Sequence, residues 1–374
     1  MPALTAIPST TATVDLSALA SNLQQARRRL ARTCDILAVV KADAYGHGAV
    51  PVTKALLQQG VARFGVATIQ EGAQLRDAGI QAPILVMGAV NQTQLADLLD
   101  YALTPLIYEP DMAAALADSA GSRSAPYPVH LKVDTGMGRL GLNPEQVLPL
   151  IQSPACRGPL RLEGLMTHLA DADNEDPAYT KIQLERFQKI LAQLQAAGLS
   201  VPLIHAANSA AILKHPAAHF SLVRPGLMLY GYSTAPQAAE ARLTPVLSLR
   251  SQVAQVRSLH PGDSVSYNRS FVAQRPSRIA VLPVGYADGY SRALSNKGQV
   301  LVQGRRCPVV GRVCMDMTLV DVTDLRAVRP GDEVILIGHQ GTEDIPATEV
   351  AAWSGTIAYE VLCGIGPRVL RVYV

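Results

Sequence analysis

Eight short apolar runs dominate the first two thirds of the chain: ILAVVK (36–41), RFGVA (63–67), PILVMG (83–88), LTPLIY (103–108), VHLKVD (129–134), LEGLMTHL (162–169), PLIHAANS (202–209) and SLVRPG (221–226). Helix-length stretches lie between most of them, the clearest being 179–197. Such alternation implies a parallel sheet covered by helices, and this many units predicts closure into a TIM-type (β/α)8 barrel. A ninth extended run, 12–15, precedes the helix whose face carries Leu16, Leu19, Leu23, Ala26 and Leu30, with Asp15 or Ser17 as its N-cap. An eightfold barrel has no place for it, so it is expected to pair with a second domain.

That second domain begins near Leu243, where helical periodicity fades. VLSLRSQVAQVRSL, SRIAVLPVGYADGY, QVLVQG, CPVVGRVCMDMTLVDV, DEVILIG and RVLRVYV read as strands, punctuated by Pro261-Gly262-Asp263 and Pro330-Gly331-Asp332. One helical pattern survives, around 345–353. The expected division is a barrel over 12–242 and a C-terminal β-rich domain over 243–374, joined by residues 1–11. A chain of 374 residues has room for two such domains.

Composition narrows the function classes. A net charge of +3 gives no footprint for nucleic acid or an anionic membrane surface, and Arg27-Arg28-Arg29 reads as one solvated helix face. The five cysteines, Cys34, Cys156, Cys307, Cys314 and Cys363, have no CxxC spacing, which fits a reducing compartment without a disulfide framework. No apolar stretch reaches membrane-spanning length and the first residues lack a secretory pattern, so a cytoplasmic protein is expected. His47, His168 and His205 lie far apart and no HExxH occurs, so no metal is expected. No GxSxG elbow marks a serine hydrolase.

On a parallel barrel, chemistry sits at the C-terminal strand ends and in the loops after them. Those positions carry Lys41, Tyr45, Lys132, Arg139, His168, Asn208, Ser209, Arg224 and Gly226, a polar and cationic set. Lys41 ends a buried strand beside a tyrosine and two glycines. Desolvation favours the neutral amine, which is the nucleophile needed for an imine; the alternative is a lysine that only ends the strand and faces water. Ser209 opens SAAILK, so its hydroxyl and the amides after it suit an anion, and N-capping is compatible with that role. One rival stands in 136–141, where GMGRLG matches GxGxxG after a strand, with Glu163 placed where a dinucleotide's ribose is read. It lies in the middle of an unbroken series of units, and Arg139 would crowd a pyrophosphate, so a dinucleotide fold is disfavoured.

With AVVKADAYGHGA, SVSYNRS and GRVCMDMTLVDV in view, the chain closely resembles alanine racemases, enzymes of a barrel fold that use pyridoxal phosphate. The likeness runs nearly end to end, through HLKVDTGMGRLG, HAANSAA, RPGLMLYG and TIAYEVLC. It implies that Lys41 forms the imine with the cofactor and serves as one acid–base, and that Tyr267 is the opposing base, contributed by the partner subunit of a homodimer. It implies that Arg224 faces the pyridine nitrogen with His168 supporting it, and that Tyr45, Asn208, Ser209, Gly226 and Tyr359 hold the cofactor, chiefly its phosphate. Arg139 is implied to read the cofactor's phenolic oxygen and the substrate carboxylate. Lys132 matches a position that is carbamylated in many members. Met315 and Asp316 would line the site, and Tyr286 would narrow its entry. Racemisation needs a planar carbanion reached from both faces, so two bases fit the chemistry. The activity implied is interconversion of L- and D-alanine, supplying D-alanine for peptidoglycan. A same-fold racemase for another small amino acid and a decarboxylase are the alternatives, and decarboxylases of this fold place an acid where Arg224 stands.

Overall fold

A computed structural model describes residues 8–121, 123–235 and 241–374. It divides into two compact units. Of the described residues, a β unit holds 8–18, 45–48 and 245–374, and a barrel unit holds 19–44, 49–121, 123–235 and 241–244.

In the barrel unit the eight expected runs become eight parallel strands: Asp35–Val39, Arg63–Val66, Ile84–Val86, Thr104–Ile107, Tyr127–Lys132, Leu160–Met166, Leu203–His205 and Leu222–Val223. Each pairs with its sequence neighbour, except that the last pairs with the first, Asp35 opposite Leu222 and Ile36 opposite Val223. Between the seventh and eighth strands there is no ladder. Single bonds close the gap instead, from Ser221 N to Ile204 O (3.2 Å) and from Arg224 N to Ala207 O (2.9 Å). The strands read as continuous apolar runs because both faces are covered, and Ile84, Val86, Leu106 and Ile107 are fully buried. The longest helix, Ala178–Ala196, buries Leu184, Phe187, Ile190 and Leu194 along one stripe.

The β unit is built on a sheet in which Leu247–Gln252 lies between Glu333–Gln340 and Thr11–Val14. Thr11–Val14 is the ninth run. It pairs antiparallel with Leu247–Gln252 and parallel with Leu370–Tyr373, so residues 12–18 belong with the β unit rather than beginning the barrel. The burial pattern of this strand explains the choice: Ala12 and Val14 are fully buried while the alternate residues are half-buried. At its end Asp15 Oδ1 accepts from the amides of Ser17 and Ala18, which makes Asp15 the cap of helix Leu16–Arg27. The later helical pattern becomes Ala347–Ser354, and a short helix, Ala358–Cys363, follows within TIAYEVLC.

Candidate active site

Lys41 opens an unusual turn. After strand Asp35–Val39, residues Ala42, Asp43, Ala44 and Tyr45 all have φ between 51° and 55°, and Gly46 follows at 81°. This is a left-handed turn made by four residues with side chains, a conformation that costs roughly 1–2 kcal/mol per residue. Bonds hold it. Ala44 N donates to Val40 O (2.9 Å), Ala42 N to Glu71 Oε1 (2.7 Å), and Ala49 N to Asp43 Oδ1 (2.6 Å). The other Glu71 oxygen accepts from Ala67 N (2.7 Å), so one carboxylate ties the turn to the loop after the next strand. Beneath, the fully buried Tyr230 donates its hydroxyl to Val39 O (2.9 Å). Strain concentrated directly after a strand-end lysine marks a place where position matters more than stability.

The glycine loop at 136–141 resolves the dinucleotide rival. Its amides are already engaged: Gly136 N and Met137 N donate to Asp134 Oδ1, and Gly138 N to Oδ2, all at 2.8 Å. Gly136, Gly138 and Gly141 all have positive φ because the backbone wraps around this carboxylate. The loop therefore carries Arg139 as a side chain on a fixed frame, and its amides are not available to a pyrophosphate.

Arg224 follows the last barrel strand and is only 4% exposed. Its guanidinium donates to Thr167 O and Ala206 O (both 2.9 Å), to His205 Nδ1 (3.0 Å) and to His168 Nδ1 (3.3 Å). Burial presses its pKa down to about 9, so it is still a cation at neutral pH. His168 is held well below the usual histidine range by desolvation and then by the charges of Arg224, Arg139, Lys132 and Lys41. Lys132 ends strand Tyr127–Lys132 and is 3% exposed; burial, then Arg139, Arg224 and Lys41, push its pKa down to about 8 against the opposing pull of Asp134. Lys41, Lys132, Arg139 and Arg224 thus act on one another around His168. Such a rim calls for anionic groups.

Ser209 Oγ accepts from the amides of Gly226 (2.9 Å) and Met228 (3.3 Å), which leaves its own proton to donate. Asn208 is the N-cap, its side chain accepting from Ala211 N (3.0 Å).

The β unit holds a second group. Tyr267 is 68% exposed and sits between Ser266 and Asn268, which have φ of 65° and 62°. Ser266 Oγ anchors this turn to Arg312 O (2.7 Å). Tyr267, Cys314, Met315 and Asp316 line one pocket of about 600 Å³. Tyr286 N and Ala287 N donate to Cys314 O and Met315 O (both 3.0 Å), which seats Tyr286 against the same segment; a Cβ at Gly285 would strike those carbonyls. Asp316 is ion-paired to Arg368 (2.9 Å), a residue that spacing did not single out. Also in this unit, the rings of Tyr45 and Tyr359 stand 5.9 Å apart.

Sequence reasoning also missed Asp134, Gln183 and Thr167. Gln183 Nε2 donates to His168 O (3.1 Å), and the signal for it was only a polar residue on the buried stripe of the longest helix.

Two family models match, "Alanine racemase, N-terminal domain" over residues 14–234 and "Alanine racemase, C-terminal domain" over 246–373. An alanine racemase of Symbiobacterium thermophilum is 47% identical over 366 residues, covering 97% of each chain. The crystal structure of alanine racemase from Bacillus anthracis with bound L-Ala-P is 35% identical, with a TM-score of 0.92 over 100% of this chain and 96% of that one. The alanine racemase from Bartonella henselae with covalently bound pyridoxal phosphate is 32% identical, with a TM-score of 0.88 over the whole of both chains.

Proposed function

Since the chain belongs to the alanine racemase family, we propose that it interconverts L- and D-alanine on pyridoxal phosphate by a two-base mechanism, with Lys41 and Tyr267 as the bases. The observation that carries this reading is the cluster of Lys41, Lys132, Arg139 and Arg224 around His168. A phosphate, a phenolate and a substrate carboxylate are the anions such a cluster would accept, and the cofactor with its amino acid brings all three. The donor set fits pyridoxal phosphate in kind as well: an amine to attach it, a hydroxyl at Ser209, and guanidinium groups that donate.

Bound pyridoxal phosphate supplies an electron sink that makes the α-proton of an amino acid removable. Lys41 holds the cofactor through Nζ and moves a proton at one face of the α-carbon. Tyr267, from the partner subunit of a homodimer, moves a proton at the other through its phenolic oxygen. Arg224 would face the pyridine nitrogen as a donor and, having no proton-accepting atom, would leave that nitrogen without a proton and the sink moderated. That restraint works against transamination. His168 supports Arg224. Ser209, Asn208 and Gly226, with Tyr45 and Tyr359, hold the cofactor; Arg139 orients the substrate carboxylate. Met315 and Asp316 line the site, Tyr286 narrows its entry, and the D-alanine made supplies peptidoglycan.

A chiral product assay over a panel of L-amino acids tests the reading. D-Alanine is expected as the main product, from a yellow protein in which borohydride fixes the cofactor to Lys41. Carbon dioxide and an amine as products, or a protein that takes up nicotinamide and not pyridoxal phosphate, would overturn it.

Lys132 adds a prediction with a pH sign. A pKa near 8 makes its amine increasingly neutral as pH rises through that value, and a neutral amine adds carbon dioxide to give an anionic carbamate that can orient Arg139. Labelled bicarbonate should give a carbamate carbon resonance that grows with pH through about 8 and is missing in Lys132→Arg. A resonance that persists in that variant would reject the assignment. By linkage, the charged amine costs the fold stability below pH 8, and the cost is relieved as pH climbs toward 10.5, the ordinary lysine value.

A further inference from the structure

Behind Arg224 runs a file of side chains that the two-base mechanism does not use. His205 Nδ1 lies 3.0 Å from Arg224 Nη1; His205 Nε2 lies 2.8 Å from His130 Nδ1; His130 Nε2 lies 3.4 Å from Glu163 Oε2; and Glu163 Oε1 lies 3.5 Å from Arg63 Nη1. Both rings are sealed in, His205 at 0% and His130 at 2% exposure.

The order of donors in this file has one solution. Arginine only donates, so His205 Nδ1 must carry no proton. The His205 proton is then on Nε2 and is donated to His130 Nδ1. The His130 proton is in turn on Nε2, facing the Glu163 carboxylate, which only accepts. A donor at one end and an acceptor at the other leave each ring a single neutral tautomer. Burial drives both rings toward neutrality, consistent with that assignment.

Two backbone features look built for this arrangement. The ladder between strands Tyr127–Lys132 and Leu160–Met166 shifts register at Val129/His130, pairing Val129 with Leu162 and His130 with Gly164, so Glu163 is the extra residue of a bulge. Bulges re-aim side chains, and this one turns Glu163 toward His130. Beside it, Gly164 leaves the space that the His130 imidazole occupies, because a Cβ there would overlap the ring.

We propose that Glu163 is a positioning residue for Arg224: through His130 and His205 it fixes the tautomers that hold the guanidinium in one orientation at the barrel rim. Its effect on catalysis rests on the function proposed above, whereas its effect on the tautomers does not. The residue that resembled the ribose-reading acid of a dinucleotide fold thus has a different task.

Side-chain 15N resonances of the histidines in the purified protein test the first link. In the wild type, His130 and His205 should both be neutral and protonated at Nε2; a Nδ1–H form of either ring overturns the proposal without any variant. Glu163→Leu leaves the buried His130 Nε2–H without an acceptor, so the reversed order, with Nδ1–H on both rings and the Arg224–His205 bond given up, should become populated beside the first. Glu163→Gln should fall between, since its amide accepts in one orientation and donates in the other. In the same variants racemisation should lose about tenfold in kcat with little change in KM, and the absorption of the bound cofactor should shift. Unaltered tautomers in Glu163→Leu would sink the proposal, as would full kcat with scrambled tautomers. If the wild type forms no D-alanine while the tautomers still follow Glu163, the functional reading fails and the tautomer assignment stands.

Discussion

Mixing Lys41→Ala subunits with Tyr267→Phe subunits, each nearly inactive alone, is expected to restore about a quarter of wild-type activity. Random reassortment of a symmetric dimer makes about half of the dimers mixed, and each mixed dimer has one site with both bases intact. The expectation follows from the proposed contribution of Tyr267 by the partner subunit. Its exposure in its own β unit, on a turn anchored through Ser266 and Arg312, supports that assignment, because a tyrosine 68% exposed on a strained turn is presented outward rather than buried there. The measurement is a D-alanine assay after unfolding and refolding the variants together, with mixing verified by mass. No recovery in verified mixed dimers would mean that one chain supplies both groups or that Tyr267 is not the base.

Arg224→Met is expected to be the most damaging single change to the barrel unit. It strips donors from the carbonyls of Thr167 and Ala206 and from the rings of His205 and His168, all of them around a guanidinium 4% exposed. Leaving such acceptors unpaired costs about 1–3 kcal/mol apiece, partly offset by water entry, so a loss of about 3–5 kcal/mol is expected from the urea midpoint. Arg224→Lys keeps the charge but presents one compact ammonium where a planar fork serves four partners, and should lose about half as much. Racemisation should fall in both. A lysine variant with wild-type stability and rate would show that the fork geometry is unimportant.

The barrel was legible in the sequence because its strands are buried on both faces, and short β-branched runs between helical stretches have few other interpretations. Strand-end positions then indicated Lys41, Lys132, His168 and Arg224, since a parallel barrel turns every such position to the same rim. The left-handed turn was not legible: Ala42, Ala44 and Tyr45 have no local preference for positive φ, and the bonds that hold the turn come partly from Glu71, far along the chain. The glycine loop was rightly set aside as a dinucleotide site, but its reason was not legible: its spacing reports amides gathered around an anion, and the anion is Asp134 of the same chain. The His130–His205 pair was hidden because the two residues are 75 apart and meet only across strands. Helix Ala358–Cys363 was missed because TIAYEVLC, with its β-branched and aromatic residues, has the composition of a strand.

The closure of the barrel has a consequence for how the protein is made. The strand leading to Lys41 pairs with the strand leading to Arg224, Ile36 opposite Val223, so the two rim residues come together through the longest loop the unit can close. Loop-closure entropy sets a high threshold for that pairing, and all the intervening strands must be in hand to repay it. During synthesis the lysine's strand emerges early and waits for its neighbour through the production of the whole barrel. A nascent or truncated chain lacking residues 222–223 would have an unsatisfied strand edge at Asp35–Val39 and no completed pocket. Cofactor capture would therefore report that the ring has closed, and loss of cofactor would be an early sign that its seam has opened.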